Sequence, residues 1–600
     1  MVSERNEKLS IRLTGTAASP GISIGPVFLL NVEEIRVKKY VLKDKTEVDR
    51  ELIRFREALL HSRVELEEIS GQVSDIIEGK QLMEVHILLL DDPAIHKEVE
   101  NRIREELVSA EYAVSQVLYD ILERFNSIED PYLRSRSVDV RDVGRRVIAN
   151  LLGTEKEVLA NLDHPVVLVS SDLDPSQTAG LTRKQLLGIV TDLGGSTSHT
   201  AILSRSMGIP SVVALKDVAE YAHPGQTVIV DGVHGVVILD PDEDELEYYT
   251  ELKNRYNMAE AEIALNAENE TVTEDGKKIE LSANIEFSQE ADQVKRFGGK
   301  GIGLFRTEFI RLLSPEIEDD EEIHFRAYKH VLKAVSPEPV IIRTFDLGGD
   351  KFLESIPTKE RNPFLGWRGI RICLDRPLKF QSQLRAVLRA ARFGNAWLML
   401  PMITSQDQVL QVKVMLEQIA AELDASKTPH GSIPSLGIMV ETPAAALAID
   451  FLIPHIDFVS IGSNDLTQYT LAVDRGSPYV SDLFDSLHPS VLRQIEHVAR
   501  KCREADIWVG ICGQMASSPL AIPLLLGFGI DELSVSLTLI PDVKKMISVI
   551  NMKEAEALAR KTLMMESGNE IRKYVLEYVE SRYPEIILDE IHRDNNDRRN

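Results

Sequence analysis

Residues 436–466 read LGIMVETPAAALAIDFLIPHIDFVSIGSNDL. One apolar run, 436–443, carries Glu441 near its end, and a second, 458–466, closes on Asn464 and Asp465. Short apolar runs of this length read as buried strands. The same unit recurs on both sides, in KKIELSANI (277–285), GIGLFRTEF (301–309), VIIRTFDLGG (340–349), AWLMLPMI (396–403), WVGICGQMA (508–516) and ELSVSLTLI (532–540). Most of these are separated by amphipathic helical stretches such as SQDQVLQVKVMLEQIAAEL (405–423). Eight β/α units in about 300 residues predict a (β/α)8 barrel. An open doubly wound sheet is the alternative, but the glycine-rich turn it needs after its first strand is not found.

In such a barrel the active site forms at the carboxyl ends of the strands. Arg306, Arg343, Glu441, Asn464, Asp465 and Cys512 each fall at the C-terminal end of an apolar run. Arg306 and Arg343 are rigid forks of donors suited to phosphate or carboxylate. Arg368, in NPFLGWRGIR, is a third candidate, although its position also suits a helix-surface ion pair. Glu441 and Asp465, with substrate oxygens and water, form the kind of carboxylate pair that holds magnesium. No two histidines lie near them at transition-metal spacing. The expected ligand is a small phosphorylated carboxylate with a divalent cation.

The N-terminal half opens with RLTGTAASPGISIGPVFLL (12–30), read as two short strands about a Ser-Pro-Gly turn. Helical periodicity follows: Val48, Leu52, Phe55 and Leu59, then Ile95, Val99, Ile103 and Leu107, continuing to Leu152 and Gly153. Strand signals return at 164–173, 186–195 and 211–215, with a hairpin over 227–240. The fold class expected is therefore multidomain α/β, with an all-helical domain inserted into a β/α domain and a C-terminal TIM barrel. The boundaries expected are 1–32 and 154–240 for the β/α domain and 33–153 for the insert. A linker helix is expected over 241–265, the barrel over 266–575 and a tail over 576–600.

Between a strand and a helical stretch lies GGSTSHT (194–200). Glycines allow a tight turn and Ser/Thr cap helices, which sets His199 at a helix N-terminus. Backbone N–H groups and the helix dipole favour an anion there and keep the imidazole neutral and nucleophilic. A capping histidine without chemistry also suits that position. The chain has no GxxxxGK[ST] loop, so a P-loop ATP donor is not expected.

Composition narrows the class. The 600 residues allow about four domains at roughly 150 each. Apolar residues make up 44% and charged residues 27%, as in ordinary folded chains. The net charge of −27 argues against nucleic-acid binding. No apolar run is long enough to span a bilayer, and the first ten residues lack a signal-peptide core, so a cytoplasmic protein is expected. Three cysteines without a CxxC pair argue against a disulfide framework or thiolate zinc site.

Taken together, GGSTSHTAILSRSMGIPSVV, GIGLFRTEF, IIRTFDLGGDK, NPFLGWRGIR, GIMVETPAA and FVSIGSNDLTQYTLAVDR strongly resemble the enzyme I family of the bacterial sugar phosphotransferase system. The similarity runs from about Gly15 to about Val549. It implies phosphoryl transfer from phosphoenolpyruvate, with Mg2+, to a histidine and then to the phosphocarrier HPr, with release of pyruvate. By motif match His199 is the phosphohistidine, Arg306 and Arg343 bind phosphate, and Asn464 and Arg475 contact substrate. Glu441 and Asp465 match the metal ligands, Cys512 the proton donor to enolpyruvate, and Thr178 a hydroxyl bonded to the active histidine. The helical insert resembles the HPr-docking domain, and the barrel is the expected homodimer interface.

Gln514, Ser196 and Asp174 depart from the family pattern of Glu, a basic residue and Thr. Rival readings are a phosphoenolpyruvate synthase or pyruvate phosphate dikinase, a regulatory relay, and a silent scaffold. The first two need an ATP-binding domain for which the helical insert leaves no room, and the relay usually carries an N-terminal sensor domain.

Overall fold

The computed structural model describes residues 10–30, 37, 39–72, 86–127, 137–153, 164–173, 185–195, 198–308, 310, 321–346, 362–477 and 479–582. The chain forms two compact units, Met1–Ala259 and Glu260–Asn600.

The first unit holds an eight-stranded mixed sheet in the order β1-β8-β7-β3-β4-β5-β6-β2. Its strands are β1 (Ile11–Thr14), β2 (Thr16–Ser19), β3 (Ile22–Leu30), β4 (Val166–Ser170), β5 (Leu186–Thr191), β6 (Ser211–Val213), β7 (Thr227–Asp231) and β8 (Val236–Leu239). Residues 12–30 thus supply three strands, not the two expected. The extra break is at Gly15, which carries the chain from one edge of the sheet, where β1 pairs with β8, to the other, where β2 pairs with β6. A Cβ at Gly15 would lie 2.5 Å from the Val213 carbonyl oxygen, so only glycine fits this crossing. The expected hairpin is present as β7 and β8, and the Asp231 carboxylate accepts from the Val233 and His234 N–H groups in its turn.

Between β3 and β4 in sequence come the inserted helices Lys45–Gln72, Pro93–Glu105, Ala110–Ser127 and Ser137–Leu152. Val48, Leu52, Phe55, Val99 and Ile103 fill their shared core, as the spacing predicts, whereas Leu107 lies 40% exposed. Pro93 at the first helical position and the Asp92 carboxylate, which accepts from Ala94 N, start the second of these helices. Gly153, at φ 62, ends the last. A helix then runs over Glu243–Asn266.

The second unit is a closed barrel of eight parallel strands: β9 (Glu280–Ile285), β10 (Ile302–Arg306), β11 (Pro339–Arg343), β12 (Asn395–Leu400), β13 (Ser435–Val440), β14 (Phe458–Gly462), β15 (Trp508–Cys512) and β16 (Glu532–Ser536). Most of the expected strand segments run past the observed C-terminal ends by three to six residues. Those ends become site loops and helix starts, whose apolar composition resembles strand. At the amino-terminal floor Trp397, Phe458 and Trp508 pack with ring centroids 4.8 to 6.1 Å apart. Helix Gly568–Arg582 buries Val575 and Val579 in the barrel core, so the packed fold continues beyond the boundary expected at residue 575. No described helix is long and apolar enough to cross a membrane.

Candidate active site

Parallel strands deliver their last residues to one rim, and here that rim is densely charged. Arg343, the last residue of β11, is buried; its Nη2 donates to Glu308 Oε1 at 3.0 Å and its Nη1 lies 3.1 Å from Asp346 Oδ2. Arg368 stands just before helix Ile370–Asp375 and turns inward. Its Nε and Nη2 donate to Asp346 at 3.0–3.2 Å, and its Nη1 donates to the Tyr469 hydroxyl at 3.0 Å. Gly369, at φ 57, permits that turn, since a Cβ there would lie 2.9 Å from Met402 Cγ. Arg368 is 7% exposed, so the helix-surface ion pair considered for it is replaced by a central place in the cluster.

Glu441 follows β13 directly and has no exposed surface. Its Oε1 accepts from the Met402 N–H, while Oε2 finds no hydrogen-bond partner among the described residues. Asp465 is the third residue of helix Ser463–Leu471, which begins where β14 ends, and lies 3.5 Å from Arg368 Nη2. One oxygen each from Asp346, Glu441 and Asp465 falls within 4.8 Å of the others. Burial, followed by repulsion from Asp346 and Asp465, holds the Glu441 carboxyl well above its ordinary range. Burial acts the same way on Asp346, but Arg343 and Arg368 outweigh it and keep that carboxyl below its ordinary range. Two guanidinium groups therefore face four carboxylates, Glu308 included, leaving a negative surplus around an unsatisfied buried oxygen. These features fit a divalent cation: hard oxygen donors, excess negative charge and an open lone pair.

Arg306 ends β10 and donates to Glu286 Oε1 at 2.7 Å, with about a third of its side chain exposed. Cys512 ends β15; its thiol donates to the Ile461 carbonyl at 3.6 Å, and burial pushes it up to about 12 despite Arg343. Asn464 Oδ1 accepts from Gln514 N at 3.0 Å, beside Gly513 at φ 94. This bond uses the backbone of residue 514, and the Gln514 side chain is exposed. Arg475 lies exposed in the loop after helix Ser463–Leu471; its backbone N–H donates to Gln468, and none of the cluster's described contacts includes its side chain.

Asp346 and Glu308 are additions to the residues expected from sequence. The available signal was their position two or three residues beyond Arg306 and Arg343, on the same rim.

In the other unit, His199 is the first residue of helix His199–Met207. The Ser198 hydroxyl caps that helix, accepting from Ala201 N at 3.3 Å, and Gly194 takes φ 109 just before it. Thr178, Asp174 and Ser196 lie outside the described residues.

A parallel barrel with an arginine-rich, carboxylate-rich rim, preceded by a β/α domain with a helical insert, places the chain among the phosphoenolpyruvate-utilising enzymes. Family models agree: residues 14–136 match "PEP-utilising enzyme, N-terminal", 162–235 match "PEP-utilising enzyme, mobile domain", and 260–552 match "PEP-utilising enzyme, PEP-binding domain". The chain is 40% identical over 567 residues to the phosphoenolpyruvate-protein phosphotransferase of Priestia megaterium, covering 94% of this chain and 98% of that protein. It is 36% identical to that of Buchnera aphidicola subsp. Baizongia pistaciae, covering 94% and 99%, and 37% identical to that of Staphylococcus carnosus, covering 95% and 99%. The chain belongs to the phosphoenolpyruvate-protein phosphotransferase family.

Proposed function

We propose that this protein takes the phosphoryl group of phosphoenolpyruvate onto His199, passes it to a histidine of HPr, and releases pyruvate. The observation that carries the reading is the meeting of Arg343, Arg368, Asp346, Glu441 and Asp465 on one barrel rim.

Asp346, Glu441 and Asp465 would hold Mg2+, with Asp346 added to the pair expected from sequence. When bound, the ion neutralises charge on phosphate oxygens. Arg306 and Arg343 orient the phosphate and stabilise the charge that develops on transfer. Asn464 and Arg475 position the remainder of the substrate. The His199 ring nitrogen forms the new bond to phosphorus as the bond to the enolate oxygen breaks. Cys512, protonated at neutral pH, then gives its proton to the enolate carbon, which favours release as the keto acid. Thr178 would bond the histidine.

His199 and the rim belong to separate units, so helix Glu243–Asn266 must let them meet and part. The helical insert is the proposed HPr-docking surface, the barrel the dimer interface, and the cytoplasm the site of action. The proposed domain limits follow the expected ones, except that the barrel extends to residue 582.

The test is incubation with labelled phosphoenolpyruvate and Mg2+. Acid-labile label should appear on the protein and move to added HPr, while labelled ATP should leave it unmodified. Labelling by ATP would overturn the reading in favour of an ATP-using relative.

A further inference from the structure

One ionisable group of the barrel has no part in the mechanism above. Glu532, the first residue of β16, is 1% exposed and points into the barrel interior. The glycines around it make the space: a Cβ at Gly303 would lie 2.0 Å from its Oε1, and one at Gly510 would lie 2.3 Å from its Oε2. The Ser282 and Ser534 hydroxyls and the Ile511 N–H border the carboxyl. None closes a hydrogen bond of normal geometry with it among the described residues.

A buried carboxyl so poorly solvated is costly when charged. Burial, with Glu280 nearby, pushes it up to about 8, so it carries a proton at neutral pH.

Its place in the sheet relates it to Cys512. Gly510 pairs with Glu532 and Ile511 with Leu533; Cys512 and Ser534 are the next residues of these parallel strands, on the face that Gly510 and Glu532 share, although the thiol itself leans to the Ile461 carbonyl on β14. Ser534 is buried, and its hydroxyl bonds Asn284 Oδ1 at 2.5 Å. At the opposite end, Glu280 pairs with Glu532 across β9 and β16 and is exposed at the barrel floor, where Trp508 Nε1 donates to it at 3.1 Å. Acid and hydroxyl groups therefore line one wall from the solvent-facing floor to the thiol.

We propose that Glu532 and Ser534 form a buried relay that returns a proton to Cys512 after it has protonated the enolate. The inference rests on the proton-donor role of Cys512 given above. When the S–H proton moves to the enolate carbon, a thiolate remains. The Ser534 hydroxyl turns from Asn284 Oδ1, to which it donates at rest, and gives its proton to the sulfur, while Glu532 closes onto the Ser534 oxygen and gives up its own proton. Glu532, left as carboxylate, is reprotonated from water at the floor through Glu280. No oxidant or reductant is involved. The thiol is recharged from the end of the barrel opposite the substrate, so the rim need not open to water in each cycle. The titratable groups facing this path are Glu280 on β9 and Cys512 on β15, with Arg306, Arg343 and Glu441 around the thiol.

The test compares wild type, Glu532→Gln, Ser534→Ala and Cys512→Ala, all checked for cooperative unfolding. Label transfer to the protein, pre-steady-state pyruvate formation and the pH profile of pyruvate methyl-proton exchange are measured. Glu532→Gln should keep label transfer and the first equivalent of pyruvate, then slow at least 10-fold in later turnovers. Wild-type exchange should fall as pH rises past about 8, following the Glu532 ionisation, and Glu532→Gln should lack that step. Ser534→Ala should be slowed in the same phase. Wild-type later turnovers and an unchanged pH profile in Glu532→Gln, with Cys512→Ala defective, would overturn the relay alone. Wild-type pyruvate formation in Cys512→Ala would instead overturn the donor assignment beneath it.

Discussion

Arg368 grips Asp346 at two points, through Nε and Nη2 at 3.0–3.2 Å, and thereby places one carboxylate between two buried guanidinium groups. Neither partner is stable there alone, because removing one member of a buried ion pair leaves an uncompensated charge, at about 3–5 kcal/mol. Asp346→Ala should destabilise the barrel by that order and abolish labelling. Asp346→Asn should fold, but need about 10- to 100-fold more Mg2+ for labelling, by analogy with the loss of other groups that shape a metal site. Normal Mg2+ dependence in Asp346→Asn would remove Asp346 from the proposed ligands.

Glu441 makes a separate prediction about the cation. Mg2+ that binds only the folded state raises Tm, and at 100 times Kd adds about 2.7 kcal/mol. Glu441→Gln, which removes a carboxylate repelled by Asp346 and Asp465, should raise the metal-free Tm and lose most of the Mg2+-induced rise. Calorimetry with and without chelator checks both.

Glu532 makes the barrel's stability depend on pH. Its folded-state ionisation near 8 lies above the ordinary carboxylate value, so between about 4.5 and 8 the folded state binds more protons than the unfolded one. Stability should fall as pH rises through that window and level off above it. Glu532→Gln should flatten this part of the profile, read from urea midpoints at pH 5, 6.5 and 8.

All three cysteines are buried and free. Burial pushes Cys502 and Cys512 up to about 12, and Cys373 higher still. Native protein should react with an aromatic disulfide reagent at pH 8 only as fast as it opens, and unfolded protein should release three equivalents at once. Rapid labelling of Cys512 in the native state would contradict the donor role proposed for it.

Lys544 anchors the end of helix Glu243–Asn266, the proposed linker, since its ammonium donates to the carbonyls of Asn266, Ala267 and Asn269. Positive charge at a helix C-terminus is favourable and satisfies carbonyls left without partners. Lys544→Met should fray this end, seen as faster amide exchange over residues 262–270, and should slow phosphoryl transfer between units more than pyruvate exchange in the barrel.

The barrel was legible because each strand is an apolar run and its catalytic candidates break that run where it ends. Arg343, Glu441 and Cys512 follow this rule. Asp346 and Glu308 escaped because they lie in the loops beyond, where a carboxylate looks like ordinary surface. Arg368 read better as a helix-surface ion pair because its inward turn depends on Gly369, a backbone property that periodicity does not reveal. Glu532 escaped for the opposite reason: a charge at the start of an apolar run resembles a strand boundary, and the space it fills is made by Gly303 and Gly510 on other strands. Likewise the break at Gly15 depends on pairing with Val213 and Gly235, nearly 200 residues or more away in sequence.

The central claim is that phosphate from phosphoenolpyruvate resides on one imidazole. Fragmentation mass spectrometry of protein labelled with phosphoenolpyruvate and Mg2+, kept alkaline throughout, reads the position directly. The account predicts a single phosphoryl group on His199 and none in His199→Ala. A phosphoryl group mapped to any other residue, or retained in that variant, would contradict it.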